Sequence, residues 1–263
     1  MAGSSPDDVV GVAVMGSSLP RRPSGPGHVP LARRRDRLAP LPSTLVTFAQ
    51  SERAELADLL DRVGPEAPTL CEGWTSHDLA AHLWIRETDP VGAGGIVARP
   101  LAGFLERRMA ETKARWPYDE LVDKVRNGPA RFSVFAIPGV DEGANTTEYF
   151  VHHEDVRRAT DPALPPRELG DDVEGWLWRR LKLLARAQFR RSPVGVVLER
   201  EGTVDEHGEP ETIRAAAGTR IVTAVGRPSE LTLLAHGRTS AAQVRLVGEP
   251  DDVEQLLRSE LSE

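Results

Sequence analysis

Cysteine is almost absent: one residue in 263 rules out an intramolecular disulfide framework and any zinc ribbon or finger that needs several thiolates. A reducing cytoplasm is therefore the expected location. Long apolar runs are missing as well. The longest near the start, Val9 to Met15, falls far short of the roughly 20 residues that a bilayer requires, so neither a membrane span nor a secretory signal is read. Positive charge is scarce over most of the chain. Residues 1–46 carry a net +3, while residues 47–263 carry −10. Duplex binding rests on neutralising phosphates with clustered Lys and Arg, so nucleic acid is not an expected partner.

What is present is 40% hydrophobic and 28% charged, the balance of a folded globular protein. The length exceeds a typical single domain of about 150 residues, which makes more than one domain the starting expectation. Residues 1–46 are rich in Pro, Gly, Ser and Arg with no sustained apolar period, and read as a disordered basic arm. The Arg33-Arg34-Arg35 run is either a weak electrostatic anchor or part of a solvated tail.

From Thr47 the pattern becomes helical. Leu56, Leu59, Leu60 and Val63 recur on one face, and Gly64-Pro65 stops the run. After a loop through Cys71, Gly73 and Trp74, Thr75 or Ser76 can cap a helix carrying Leu79, Ala80, Leu83, Trp84 and Ile85 to about Thr88. Further helices are expected over roughly 97–114, 118–127, from Asp141 or Asn145 to about Ala159, and over 171–190. Beyond Pro193 short β-rich runs appear (194–198, 212–215, 220–225, 243–247), with helical pieces at 230–235 and 251–261. The fold class read from this order is α+β: a helical bundle over 47–191 followed by a small α/β domain over 192–263.

The most informative constellation is Glu148-Tyr-Phe-Val-His152. Four apart on a helix, Glu148 and His152 share one face with Cβ atoms roughly 5–6 Å apart, close enough to share a cation. Imidazole and carboxylate together suit zinc or a similar divalent ion. A third donor must come from elsewhere, and His82 is the leading candidate because it lies within the apolar run Leu79–Ile85. Two His and one Glu leave a coordination position open, the pattern of a catalytic zinc.

Each residue also has a plainer reading. His82 can be a satisfied core histidine, and Glu148 can merely favour the first turn of its helix through the dipole. His153 can replace His152 if the helix is rotated by 100°. His28, His77, His207 and His236 read as surface groups. Asp78, four before His82, or Asp155, three after His152, can steady a ligand imidazole from behind. Cys71 is a ligand, a reactive thiol or an inert buried cysteine.

Three strings carry a resemblance: Ala67-Pro-Thr-Leu-Cys-Glu-Gly-Trp-Thr75, Asp78-Leu-Ala-Ala-His82-Leu83, and Asn145-Thr-Thr-Glu148-Tyr-Phe-Val-His152-His-Glu-Asp-Val-Arg-Arg158. In these the chain closely resembles an actinobacterial metal-binding family related to the N-terminal domain of mycothiol-dependent maleylpyruvate isomerase and to DinB-like proteins. The resemblance covers about residues 47–261. It implies a DinB-like four-helix bundle with a divalent metal, usually zinc, held by His82, Glu148 and His152. It also implies mycothiol as a low-molecular-weight thiol bound and activated there. The isomerase uses an arginine of its C-terminal domain; Arg238 is the loose positional counterpart, either a catalytic group that binds a substrate carboxylate or a surface residue. The Arg157-Arg158 pair can serve an anion or simply suit a helix end.

The expected function is a divalent-metal-dependent, mycothiol-using transferase or isomerase acting on a small electrophilic substrate. The alternatives are a non-catalytic metal-binding or thiol-sensing regulatory module, and a purely structural zinc.

Overall fold

The computed structural model describes residues 43–89, 102–128, 140–259 and 261. The basic arm assigned to residues 1–46 lies almost wholly outside them. The first helix, α1, spans Ser43–Val63 and so begins one turn before the sequence pattern becomes legible. Its Leu56, Ala57 and Leu60 are buried. Gly64, with φ of +77°, ends it where the amide of Gly64 reaches the Leu60 carbonyl.

Helix α2 (Ser76–Thr88) starts at a capping box: the Thr75 side chain accepts from the Asp78 amide, and the Asp78 carboxylate accepts from the Thr75 amide. Asp78 therefore caps the helix and pairs with Lys113, 2.5 Å away, instead of steadying His82 as one sequence reading allowed. Helices α3 (Ala102–Arg115) and α4 (Tyr118–Arg126) pack on α2. Helix α5 (Val140–Arg157) packs along α1 and buries Tyr149, Phe150 and Val151. Because α5 starts at Val140, Glu148 sits two turns inside it, which removes the reading of Glu148 as a first-turn dipole partner. Leu56, Leu60, Leu79, Leu83, Leu121 and Tyr149 share the core of this helical layer.

Helix α6 (Asp171–Gln188) has Asp171, Asp172 and Glu174 in its first turn, where the positive end of the helix dipole favours them. Its Trp178, Leu181 and Ala185 pack on a four-stranded sheet, while Val173, Trp176 and Leu177 pack on Phe150 and Val151 of α5. The sheet holds β1 (Gly195–Val204), β2 (Pro210–Ala216), β3 (Ile221–Gly226) and β4 (Arg245–Val247) in the order β2-β1-β3-β4. β1 pairs antiparallel with β2 and parallel with β3, and β3 pairs antiparallel with β4. Helices α7 (Pro228–Ala235) and α8 (Pro250–Arg258) complete the described chain. Mixed helix and strand, in the order expected, is what the α+β reading requires.

Helix α7 is central to the site. It ends in a Schellman motif: the Gly237 amide reaches the Leu234 carbonyl and the Arg238 amide reaches the Leu233 carbonyl. Gly237 takes φ of +78°, and a Cβ there would lie 2.6 Å from the Leu261 carbonyl oxygen. That left-handed turn aims Arg238 back toward α5.

Candidate metal centre

The apolar stripe of α2 carries His82 inward with Leu79 and Leu83, leaving it 4% exposed. On α5, Glu148 and His152 project from one face, as their spacing predicts. The three side chains meet. The Nε2 atoms of both histidines point at the same carboxylate oxygen, Glu148 Oε1, at 3.1 Å from His82 and 3.2 Å from His152. One ligand atom from each lies within 4.8 Å of the other two. The imidazole rings stand edge to face, 5.1 Å between centroids, and Trp74 packs against the His82 ring. The Glu148 side chain remains 24% exposed, so the cluster opens to solvent on the carboxylate side.

The surroundings of His152 are more elaborate. Its Nδ1 lies 2.8 Å from Asp155 Oδ2, and the Asp155 side chain is fully buried. Arg238 grips that carboxylate at both oxygens, Nε to Oδ1 at 2.8 Å and Nη2 to Oδ2 at 2.6 Å. Cys71 completes the group, with Sγ 3.2 Å from Asp155 and 3.1 Å from Arg238 Nη2. A backbone bond from the Leu70 amide to the Asp155 carbonyl holds the Cys71 loop against the end of α5.

Arg238 is thus brought to the site, 18% exposed, with its guanidinium already engaged. Four of its five N–H donors are used, since Nη1 also donates to the His236 carbonyl. One donor is left for an anion.

Burial and charge set the protonation of these groups. Burial lowers the His82 pKa, favouring the neutral ring, against the opposing hydrogen bond that Glu148 accepts. Burial would also raise Glu148, but the Arg86 cation and the two imidazoles outweigh it and hold the carboxylate well below its usual range. For His152 desolvation is again the largest influence and favours the neutral ring; hydrogen bonds to Asp155, Cys71 and Glu148 together overcome it and raise the pKa well above the ordinary value. Asp155 is likewise held down by Arg238 and His152 in spite of its burial.

The donor set fits a divalent cation. With Nδ1 of His152 committed to Asp155, the remaining lone pair is on Nε2, the atom aimed at Glu148. One feature competes: Arg86 Nε lies 3.2 Å from Glu148 Oε1, so a bound cation would share that oxygen with a guanidinium.

No family model matches the chain, and no curated protein matches it. Among solved structures it is similar to that of the mycothiol-dependent maleylpyruvate isomerase. Identity there is 17%, with 78% of this chain and 92% of the other covered and a TM-score of 0.49. It is likewise similar to a single-site mutant of that enzyme, at 18% identity, the same coverage and a TM-score of 0.47.

Other sequence candidates go elsewhere. His153 turns to α1, its Nδ1 3.1 Å from Glu52, so it does not replace His152. Glu52, Glu55 and His153 form another cluster of potential ligands, but Arg167 already pairs with both Glu52 oxygens at 2.6 and 2.8 Å. Arg157 and Arg158 both pair with Glu154, and Arg158 also with Glu230, so neither stands ready for an anion. His236 is half-buried against Gln188 and the Thr232 carbonyl, not a surface group; His207 is exposed as expected, and His28 lies outside the described residues. Arg86 at the ligand cluster was not read from the sequence. Its position four after His82 on the same helix was the available signal.

Proposed function

We propose that the chain is a divalent-metal-dependent enzyme that uses a small thiol, mycothiol in the first instance, to act as a transferase or isomerase on a small electrophilic substrate. The observation that carries this reading is the convergence of His82 and His152, through Nε2, on one oxygen of Glu148. Two imidazoles and a carboxylate leave a coordination position open, and the exposed edge of Glu148 gives access to it. The motifs from Ala67 to Thr75 and from Asn145 to Arg158 support the thiol, through their resemblance to thiol-using relatives. The cytoplasm is the proposed location.

His82, Glu148 and His152 would hold the ion, which when bound supplies the charge that keeps a thiol deprotonated at neutral pH. The rest is done by the protein. Asp155, clamped by Arg238, fixes the His152 ring and its tautomer. Trp74 packs against one side of the His82 ring, 5.0 Å between centroids. The substrate would be approached by the thiol sulfur, whose electron pair forms the new S–C bond as the electrophile's π pair shifts to its electron-withdrawing group; in transfer the resulting carbanion takes a proton from solvent, and in isomerisation it turns about the former double bond before the S–C bond breaks and the thiolate leaves. In this reading Arg238 serves first as a positioning residue.

The test is direct. Protein purified with zinc should hold about one ion per chain, and His152→Ala should lose most of it by elemental analysis. Incubation with mycothiol and a panel of electrophiles should give thiol adducts, detected by mass spectrometry, at a rate that EDTA and His152→Ala both abolish. Zinc content unchanged in His152→Ala, or neither adduct formation nor thiol-dependent isomerisation of any substrate faster than without protein, overturns the proposal.

A further inference from the structure

The Glu148 oxygen at which both imidazoles point has a third claimant. Nε2 of His82, Nε2 of His152 and Nε of Arg86 lie 3.1, 3.2 and 3.2 Å from Oε1. An oxygen has two lone pairs and the imidazoles suffice for them, so Arg86 brings charge and not a further hydrogen bond. Its side chain is 14% exposed, where little water screens that charge. Burial raises the Glu148 pKa, and Arg86 is the strongest of the groups that pull it down.

A buried relay holds Arg86 in this place. Its Nη1 donates to Asn145 Oδ1. Asn145 is fully buried, and its Nδ2 donates to Glu87 Oε1 at 3.1 Å, which fixes the amide with its oxygen toward Arg86. Glu87 in turn accepts both arms of Arg53, at 2.9 and 2.7 Å, and the Tyr149 hydroxyl. Residues of α1, α2 and α5 thus combine to fix one cation. Glu148 itself needs little such support, because α5 places it one turn before His152 and two imidazoles meet its oxygen.

We propose that Arg86 is a built-in competitor of the metal ion: a fixed cation that neutralises Glu148 when no ion is bound, lowers the affinity of the centre, and so keeps the ion exchangeable. Two cations at one carboxylate oxygen repel each other, and the guanidinium already engages part of that oxygen's charge. In the metal-free protein the same contact gives a largely enclosed carboxylate a partner. That the arriving cation is a divalent metal rests on the function proposed above.

Zinc is the probe. The full-length protein, stripped with EDTA and dialysed, is titrated with zinc against a chromophoric chelator. Arg86→Met, which keeps the aliphatic stem and drops the charge, should bind zinc at least about tenfold more tightly than the parent and release it more slowly to excess EDTA. Arg86→Gln, which is uncharged and still able to hydrogen-bond, should shift the same way, and Arg86→Lys, still a cation, should stay nearer the parent. The metal-free Arg86→Met protein should unfold at a lower temperature than the metal-free parent, and added zinc should stabilise it by more. An arginine that merely supported the fold would lose stability and affinity together, so the opposite signs decide the matter. Where Arg86→Met fails to fold by circular dichroism, Arg86→Gln carries the comparison. Zinc binding by the folded variant equal to or weaker than the parent's overturns the proposal and leaves the metal reading standing. A parent that takes up no zinc overturns both.

Discussion

At the scale of single residues the question is what sets the His152 ring. Asp155 contacts its Nδ1, and Arg238 holds Asp155 at both oxygens. Groups that orient a ligand imidazole in this way typically change metal affinity by about 10–100-fold when removed. Asp155→Asn should therefore weaken zinc binding by about that factor, read by competition with a chromophoric chelator, while leaving the three ligands in place. Protonation follows from the same contacts. The metal-free His152 pKa is raised, so its proton is still bound at neutral pH, and zinc must displace it. Zinc binding should release about one proton near pH 7, and affinity should fall as pH drops further. Calorimetry in buffers of different ionisation enthalpy measures this; no proton release would contradict it. The convergence of His82, Glu148 and His152 was legible because Glu-x-x-x-His and a histidine within an apolar stripe are local signals. Asp155 was legible too, by its i+3 spacing to His152; that Cys71 and Arg238 meet it was not, because no spacing rule links positions 71, 155 and 238.

At the scale of elements, helices declared themselves through the repeat of buried leucines and through caps such as Thr75 and Gly64. The boundaries of α4 and α6 fall within two residues of the pattern. Strands were located, yet their order was not. Nothing in four short β-rich runs says that β1 pairs with β3 in parallel while β2 lies on its other side, because pairing is decided by packing against α6. The end of α7 shows how an element places a functional group. Gly237 closes the helix with positive φ, and the Leu261 carbonyl leaves no room for a methyl group. Gly237→Ala should cost about 1–2 kcal/mol for the left-handed backbone alone, with the steric clash in addition. It should also move Arg238 off Asp155. Urea unfolding would show the first effect and weaker zinc binding the second; a variant as stable as the parent with unchanged affinity would refute the argument.

At the scale of the whole molecule, a line of buried charge joins the helical layer to the C-terminal part. Glu52 of α1 pairs with Arg167, which also pairs with Glu154 of α5; Glu154 pairs with Arg158, and Arg158 with Glu230 of α7. Arg158 is 1% exposed, and its Nη1 and Nη2 lie 2.9 and 2.7 Å from the two Glu230 oxygens. Such a network is weak evidence of net stabilisation, since desolvation offsets attraction, but breaking it from one side leaves an uncompensated buried charge. Arg158→Met should therefore destabilise the protein by about 3–5 kcal/mol in urea unfolding at pH 7. Adding Glu230→Gln to that variant should recover part of the loss, because the neutral amide no longer demands a cation while it can still accept from the Gln243 amide, now 2.7 Å from Glu230. A double variant no better than the single one would mean that Arg158 acts through its bond to the Ala241 carbonyl and its packing, not through the charge of Glu230. The helix carrying Glu148 and His152 and the turn carrying Arg238 are tied by this same pair, so loss of Arg158 should loosen the clamp on Asp155 together with the fold.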